Sequence, residues 1–131
     1  MATICKDIPI DASADRVWDV IRDVGAVHQR LAVGFVVACR LEEGARIVRF
    51  SNGVEARELI VGVAEDIRRV AYSVVGGAAT HHNASMQVVA DGDGRCRLVW
   101  ITDVLPDQAA ATLGPMIDHG SGVMKRTLEQ R

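Results

Sequence analysis

The fold of this chain is decided by an N-terminal stretch, Ile8-Pro9-Ile10-Asp11-Ala12-Ser13-Ala14-Asp15-Arg16-Val17-Trp18-Asp19-Val20-Ile21, in which an extended run turns directly into a helix. Residues 4–10 are apolar enough for a strand, and Pro9 favours an edge position because proline has no N–H for a sheet ladder. Ser13 is a candidate helix N-cap, and Asp15 puts a negative charge in the first turn. Apolar residues then recur at helical spacing, which predicts one buried helix face. These residues are Val17, Val20, Ile21 and Val24.

The length and composition of the chain are those of an ordinary globular protein. Its 131 residues fit one domain, residues 1–131, with 49% apolar and 24% charged residues. The N-terminus has no basic region followed by an apolar run, and no segment approaches the roughly 20 apolar residues that span a bilayer. We therefore expect a cytoplasmic protein that does not insert into membranes.

Charge and cysteine content argue against nucleic-acid-binding, disulfide-rich and metal-binding proteins. The net charge of −2 comes from 15 basic and 17 acidic residues that are scattered along the chain, so no basic face is expected for nucleic acid. Cys5, Cys39 and Cys96 are far apart and odd in number, which favours neither a disulfide framework nor a metal knuckle. We expect them to be buried or half-buried thiols.

The middle of the chain reads as successive strands joined by tight turns. Residues 23–30 form an irregular helical connector that Gly25 separates from the first helix. Asn52-Gly53 between two apolar runs is a strong hairpin signal, because both residues tolerate positive φ. Together with the first strand, the pattern predicts an antiparallel meander of six or seven strands. The later strands are predicted at 34–40, 45–50, 55–62, 69–74, 82–88 and 96–102, with turns at 42–44, 51–53, 76–77 and 91–94.

From Pro106 onward the apolar period becomes helical, which predicts a second helix of up to about 36 Å at about 1.5 Å per residue. Glycine weakens a helix by about 1 kcal/mol and interior proline by about 3 kcal/mol. The helix is therefore either kinked or compensated by its packing. The weakening residues are Gly114, Pro115, Gly120 and Gly122, and the broad apolar face comprises Ala109, Leu113, Met116, Ile117, Gly120, Val123, Met124 and Leu128.

This order of elements resembles the START-like, or helix-grip (SRPBCC), superfamily over the whole chain. It is most similar to the polyketide cyclase/dehydrase-like branch. The resemblance implies an α+β helix-grip fold: a curved antiparallel sheet of six to seven strands wrapped around a long C-terminal helix, with one or two short helices after the first strand. The segments that carry it are Ala12 to Ile21, Glu43-Gly44-Ala45-Arg46-Ile47-Val48-Arg49, Asn52-Gly53-Val54-Glu55-Ala56-Arg57-Glu58-Leu59, Tyr72-Ser73-Val74 and Cys96-Arg97-Leu98-Val99-Trp100.

Two segments depart from the resemblance. Related sequences often carry an aromatic residue and a proline where this chain has Gly25-Ala26-Val27-His28, and a proline where it has Ala79-Thr80. Both segments flank the expected cavity entrance, so the identity of a ligand does not carry over from the family.

The resemblance also implies an elongated apolar cavity between sheet and helix. Val17, Val20 and Ile21 are expected to seal its base. Methionines would adapt to varied apolar ligands, while tyrosine and tryptophan offer an apolar body with one donor. Arg49 either pairs across its hairpin or points inward to anchor a carboxylate or phenolate. The candidate ligand contacts are Arg49, Tyr72, His82, Met86, Trp100, Met116, Gly120 and Met124, with packing roles as the alternative for each.

Candidates for acid–base chemistry are few. His82 is predicted to point inward and the adjacent His81 outward, so the two do not share a metal ion. His82, Tyr72 and Asp103 are the candidate catalytic residues, since each could move a proton on a cavity ligand. His28 and His119 are the remaining histidines, with surface or core roles as the alternative. No metal site and no cofactor are expected.

Three functions remain open at this point. The leading hypothesis is binding or transport of a small hydrophobic molecule, lipid-like or polyketide-like, in the cavity. The first alternative is a polyketide cyclase or dehydratase that acts on a ligand in the same cavity. The second is a protein-interaction module of the co-chaperone kind, which needs an exposed apolar patch of several hundred Å². The expected partner is thus a small hydrophobic molecule, and a homodimer is left open.

Overall fold

The structure is a computed structural model that describes residues 2–130. It contains one antiparallel sheet, two α-helices and one π-helical turn. The strands are β1 (Ala2–Ile10), β2 (Val36–Glu42), β3 (Ala45–Phe50), β4 (Glu55–Ala64), β5 (Arg69–Val75), β6 (His81–Ala90) and β7 (Cys96–Leu105); the helices are α1 (Ala14–Ile21) and α2 (Ala109–Glu129), and the π-helical turn covers Val27–Leu31.

The sheet confirms the predicted helix-grip fold. Its seven strands lie in the order β1-β7-β6-β5-β4-β3-β2, and each neighbouring pair is antiparallel. Pro9 lies in β1, an edge strand, as expected from its missing N–H. Register shifts near residues 36–38 and 60–62 mark irregularities of the kind that bend strands, and the sheet curves around α2.

Helix α1 forms as its sequence predicts. Ser13 Oγ accepts a hydrogen bond of 3.2 Å from the backbone N–H of Arg16, and Asp15 lies in the first turn, where it pairs with Arg68 at 2.7 Å. Trp18 Nε1 donates to Glu65 at 2.7 Å. These contacts fasten the helix to the β4–β5 turn.

Helix α2 has 21 residues and runs through Pro115 without a break. At about 1.5 Å per residue it is about 32 Å long, enough to cross the sheet. Its C-terminal end is tied to the first strand: Lys125 Nζ donates to the carbonyl of Pro9 at 2.6 Å, and Glu129 accepts from the backbone N–H of Asp11 at 2.8 Å. Within residues 2–130, neither this helix nor any other is long and apolar enough to cross a membrane.

The core is solid where α1 meets the sheet. Ile10, Val17 and Leu98 are 0% exposed, and Val20 and Ile21 are buried beside them. Val17, Val20 and Ile21 therefore belong to a filled core, and none of them is among the residues that line the cavity. That they seal its base stays a prediction.

The three cysteines are free. Cys96 is buried and Cys39 half-buried, whereas Cys5 is exposed, contrary to expectation. The reason is its position in β1: side chains of an edge strand alternate between faces, and Cys5 falls on the outer one.

Candidate functional site

A cavity lies between the sheet and the N-terminal half of α2. It has a volume of about 90 Å³ and adjoins a larger pocket of about 380 Å³. The larger pocket is bordered by the β3–β4 loop, by residues 76–79 and by the start of α2, so it forms the mouth of the cavity. The residues that line both are Phe50, Glu58, His82, Leu113 and Met116.

Most of the cavity wall is apolar. Sheet, connector and α2 all contribute, so the wall is built from segments distant in sequence. Such a wall favours the apolar part of a ligand, because burial of apolar surface contributes roughly 25 cal/mol per Å². The apolar wall residues are Val27, Leu31, Phe35, Val36, Val48, Phe50, Met86, Leu113, Met116, Ile117 and Met124.

A buried ion pair interrupts the apolar wall. Arg46 Nε donates to Glu58 Oε1 at 2.7 Å, and the two side chains are only 7% and 10% exposed. Arg46 also donates from Nη1 to the carbonyl of Val24 at 3.2 Å, which ties the cavity to the connector. Its guanidinium carbon lies 5.1 Å from the centroid of the Tyr72 ring, a cation–π contact. Arg46 is thus held in place by three partners.

A second pair of polar side chains lies beside the first. Trp100 Nε1 donates to Tyr72 Oη at 3.1 Å, and both side chains are buried. Burial raises the pKa of Tyr72, and the negative charge of Glu58 raises it further. The phenol therefore stays protonated and keeps its own O–H as a donor. Thr102, 1% exposed, adds a hydroxyl to the same wall.

His82 lies where the cavity meets its mouth. Burial lowers its pKa, and the nearby His81 lowers it further. The imidazole is therefore neutral near pH 7 and has one nitrogen able to accept a proton. His81 is exposed and its Nε2 lies 2.6 Å from Asn83 Oδ1, so the two histidines face opposite sides of β6, as predicted.

Six of the residues predicted as ligand contacts line the cavity. They come from three strands and from α2, and the sheet register brings them together: Met86 lies opposite Trp100, and Tyr72 lies on the adjoining strand. The six are Tyr72, His82, Met86, Trp100, Met116 and Met124.

Arg49 does not line the cavity, so of the two positions left open for it the inward one, and with it the candidate ligand contact, is corrected. The loop between Phe50 and Val54 places Arg49 opposite Glu55 and Arg46 opposite Glu58. Arg49 is exposed, whereas the inward guanidinium belongs to Arg46. The missed pair had a sequence signal: a hairpin centred on Asn52 pairs positions equally distant from it, which matches Arg46 with Glu58.

Gly120 and Asp103 do not line the cavity either. A Cβ at Gly120 would lie 3.1 Å from Phe35 Cε2, so this glycine makes room for the phenylalanine ring, which itself lines the cavity. Asp103 is on the outer face of β7, because side chains alternate along the strand. It accepts from Thr3 Oγ1 at 2.7 Å and from Asn83 Nδ2 at 3.1 Å, and these bonds lower its pKa.

The other histidines lie outside the cavity wall. His119 is exposed and packs edge-on against Phe35, with ring centroids 5.4 Å apart. His28 lies in the π-helical turn, and its Nδ1 is buried without a hydrogen-bond partner among residues 2–130. In the same residues no group of three or more His, Cys, Asp or Glu side chains is arranged to hold a metal ion.

A curved sheet that grips a long helix over an apolar cavity defines the START-like class of hydrophobic-ligand-binding folds. Residues 1–130 match the family described as "Polyketide cyclase / dehydrase and lipid transport", and the chain belongs to that family. Among curated proteins, none matches this sequence significantly.

Solved structures share the fold across nearly the whole chain. An uncharacterized protein from Bacillus thuringiensis aligns with a TM-score of 0.87 at 16% identity, covering 98% of this chain and 100% of that one. A START superfamily protein from Mycobacterium smegmatis aligns at 0.77 and 16% identity, covering 98% and 97%. Norcoclaurine synthase from Thalictrum flavum aligns at 0.72 and 22% identity, covering 99% and 95%. At these identities the similarity establishes the fold alone.

Proposed function

We propose that this protein binds and carries a small hydrophobic molecule, lipid-like or polyketide-like, in the cavity under α2. One observation carries the proposal: an apolar wall of residues from the connector, the sheet and α2 surrounds a buried polar cluster that includes Arg46, Glu58, Tyr72 and Trp100. Ligand sites in proteins combine an apolar lining with a few fixed polar groups in this way. The wall would bind the body of the molecule, and the cluster would orient one end.

The mouth gives the ligand a route to this cluster. Gly76 and Gly77 have φ of 72° and 145°, values that favour glycine, and the loop they start borders the mouth opposite the first turns of α2. Phe50, Leu113 and Met116 line both the mouth and the inner cavity. A ligand would therefore pass these side chains before it reaches Tyr72.

The binding test uses two matched leucine variants. Leu113→Trp places a larger ring between mouth and cavity, whereas Leu41→Trp makes the same change at a side chain that is 61% exposed on β2. Native mass spectrometry of the purified protein, followed by extraction, would identify co-purifying small molecules. We expect bound molecules with wild type and Leu41→Trp and their loss with Leu113→Trp. Equal occupancy of all three proteins would contradict the proposal.

A second candidate function, a cyclase or dehydratase acting on the same ligand, is favoured by the polar groups on one cavity wall. Neutral His82 is suited to accept a proton and protonated Tyr72 to donate one. The similar fold of norcoclaurine synthase, a synthase by name, is compatible with chemistry in such a cavity.

The variants His82→Gln and Tyr72→Phe distinguish an enzyme from a carrier. For an enzyme, turnover of a bound molecule falls by about 100-fold or more while the molecule still binds, since general acid–base groups contribute about 10²–10⁴-fold. For a carrier, incubation with wild type leaves the molecule chemically unchanged. Mass spectrometry of the extracted molecule before and after incubation distinguishes the two outcomes.

A further inference from the structure

The charges inside the cavity cancel. Arg46 and Glu58 are 2.7 Å apart, and no other wall residue of the inner cavity, within the described part of the chain, is an acid or a base of ordinary charge at pH 7. Tyr72 is held in its neutral form and so is His82. At the mouth, Glu55 adds a negative charge close to Arg40, with 3.9 Å between Arg40 Nη1 and Glu55 Oε2.

From this arrangement we infer that the cavity selects neutral molecules, with an apolar body and a hydroxyl or carbonyl at one end, and discriminates against carboxylates of the same length. The inference rests on the proposed function and names its ligand class. An inward arginine without a partner would instead have favoured a ligand carboxylate.

The physical reason is that Arg46 is already engaged. Its Nε is bonded to Glu58 and its Nη1 to the Val24 carbonyl, so a ligand carboxylate would have to share the guanidinium with a carboxylate that is almost fully buried. Two carboxylates at one site repel each other, and removing the ligand charge from water is unfavourable when no free counter-charge receives it. A neutral end avoids both penalties.

The cluster also offers what a neutral end requires. Tyr72 Oη accepts from Trp100, so the phenol hydrogen is available to a ligand oxygen. Glu58 lines the same wall and uses Oε1 for Arg46. A carboxylate has a second oxygen, which can accept from a ligand hydroxyl. A hydroxyl both donates and accepts, and it can therefore use both groups, whereas a carbonyl can use the phenol.

The test compares ligands that differ only at the polar end: decan-1-ol, methyl decanoate and decanoate, titrated at pH 8 by calorimetry. With wild type we expect the alcohol and the ester to bind at least about tenfold more tightly than decanoate, because the buried carboxylate of decanoate would lie beside Glu58 without a free counter-charge. Stronger binding of decanoate would overturn the inference. Equal binding of all three would also overturn it but leave the proposed function standing, and binding of none would count against the proposed function itself.

A charge variant tests the cause. Glu58→Gln leaves Arg46 without a counter-charge, so we expect the ratio of decanol to decanoate affinity to fall at least about tenfold. Glu43→Gln makes the same change at an exposed turn and is expected to keep the wild-type ratio. An unchanged ratio in Glu58→Gln would overturn the role of the ion pair. If that variant does not fold, the wild-type comparison of ester with carboxylate still decides the inference.

Discussion

The two ends of the sheet's inner face differ in how they are covered. At one end α1 and the C-terminal half of α2 press on the sheet, and Ile10, Val17 and Leu98 are 0% exposed. At the other end the cover is the connector and the N-terminal half of α2, where Leu113 and Met116 are half-buried beside empty space. One end is a filled core and the other a cavity.

The difference shows that the cavity depends on the covering elements more than on apolar content. Both ends are rich in aliphatic residues, but only the filled end has a helix seated on the strands. The hollow end instead holds the buried ion pair and the tyrosine–tryptophan pair. Because folded domains are only marginally stable, we expect the filled end to supply much of the stability that lets the other end remain open.

The largest difference between the two ends is expected when one leucine is truncated at each of them. Leu98→Ala removes a fully buried side chain and is expected to lower the free energy of unfolding by about 3–5 kcal/mol. Leu113→Ala enlarges an existing cavity and should cost only about 1 kcal/mol. Urea unfolding of both variants measures the difference, and equal losses would mean that the hollow end is as tightly packed as the filled one.

The ion pair gives the next largest effect. Arg46→Met leaves Glu58 buried without its partner and is expected to cost about 2–3 kcal/mol. The double variant Arg46→Met/Glu58→Leu replaces both charges by apolar groups and should recover most of that loss. A double-mutant cycle by urea unfolding measures the coupling. Additive losses would show that the two side chains contribute independently.

Two glycines of α2 are expected to differ by a smaller amount when each is replaced by alanine. Gly122→Ala adds a methyl group with no neighbour within 4 Å and is expected to stabilise the helix by about 1 kcal/mol. Gly120→Ala puts the methyl group 3.1 Å from the Phe35 ring, so its gain should be smaller or reversed. Thermal unfolding of the pair provides the measurement. A larger gain at Gly120 would show that Phe35 moves aside freely.

The smallest expected effect is a pH dependence of the free energy of unfolding that comes from His82, at the hollow end. Because the pKa of folded His82 lies below its unfolded value of about 6.5, the unfolded chain binds more protons just below that pH. The stability from neutral His82 is therefore complete above about pH 6.5 and is lost as the pH falls toward the folded pKa. Unfolding of wild type and His82→Gln between pH 5 and 8 should show a shallower decline in the variant. Identical slopes would exclude His82 as the source.

Much of the fold could be predicted because local signals agree with one another. The Ser13 cap, the edge proline Pro9 and the Asn52-Gly53 turn each specify their own segment, and their order leaves little choice of topology. The predicted inward face of β6 was also readable, because His82, Ala84, Met86 and Val88 alternate with more polar residues.

The polar part of the site was harder to predict. In β3, Ile47 and Val48 are both apolar and both buried, so alternation alone does not decide whether Arg46 or Arg49 faces inward. The register pairs Arg46 with Glu58 and Arg49 with Glu55 without choosing between them, and only the packed structure shows that Arg46 lies on the cavity side. The role of Gly120 was hidden for another reason: it depends on Phe35, 85 positions away in sequence, and no local pattern reports such a contact.

The placement of the two tryptophans gives the molecule an optical reporter at each end. Trp18 lies on α1, bonded to Glu65, while Trp100 lies in the cavity wall against the one tyrosine of the chain. In a Trp18→Phe variant the remaining indole emission would come from the cavity alone. A ligand that displaces the tyrosine hydroxyl from that indole would shift the emission and change energy transfer from Tyr72, so binding could be followed without any label.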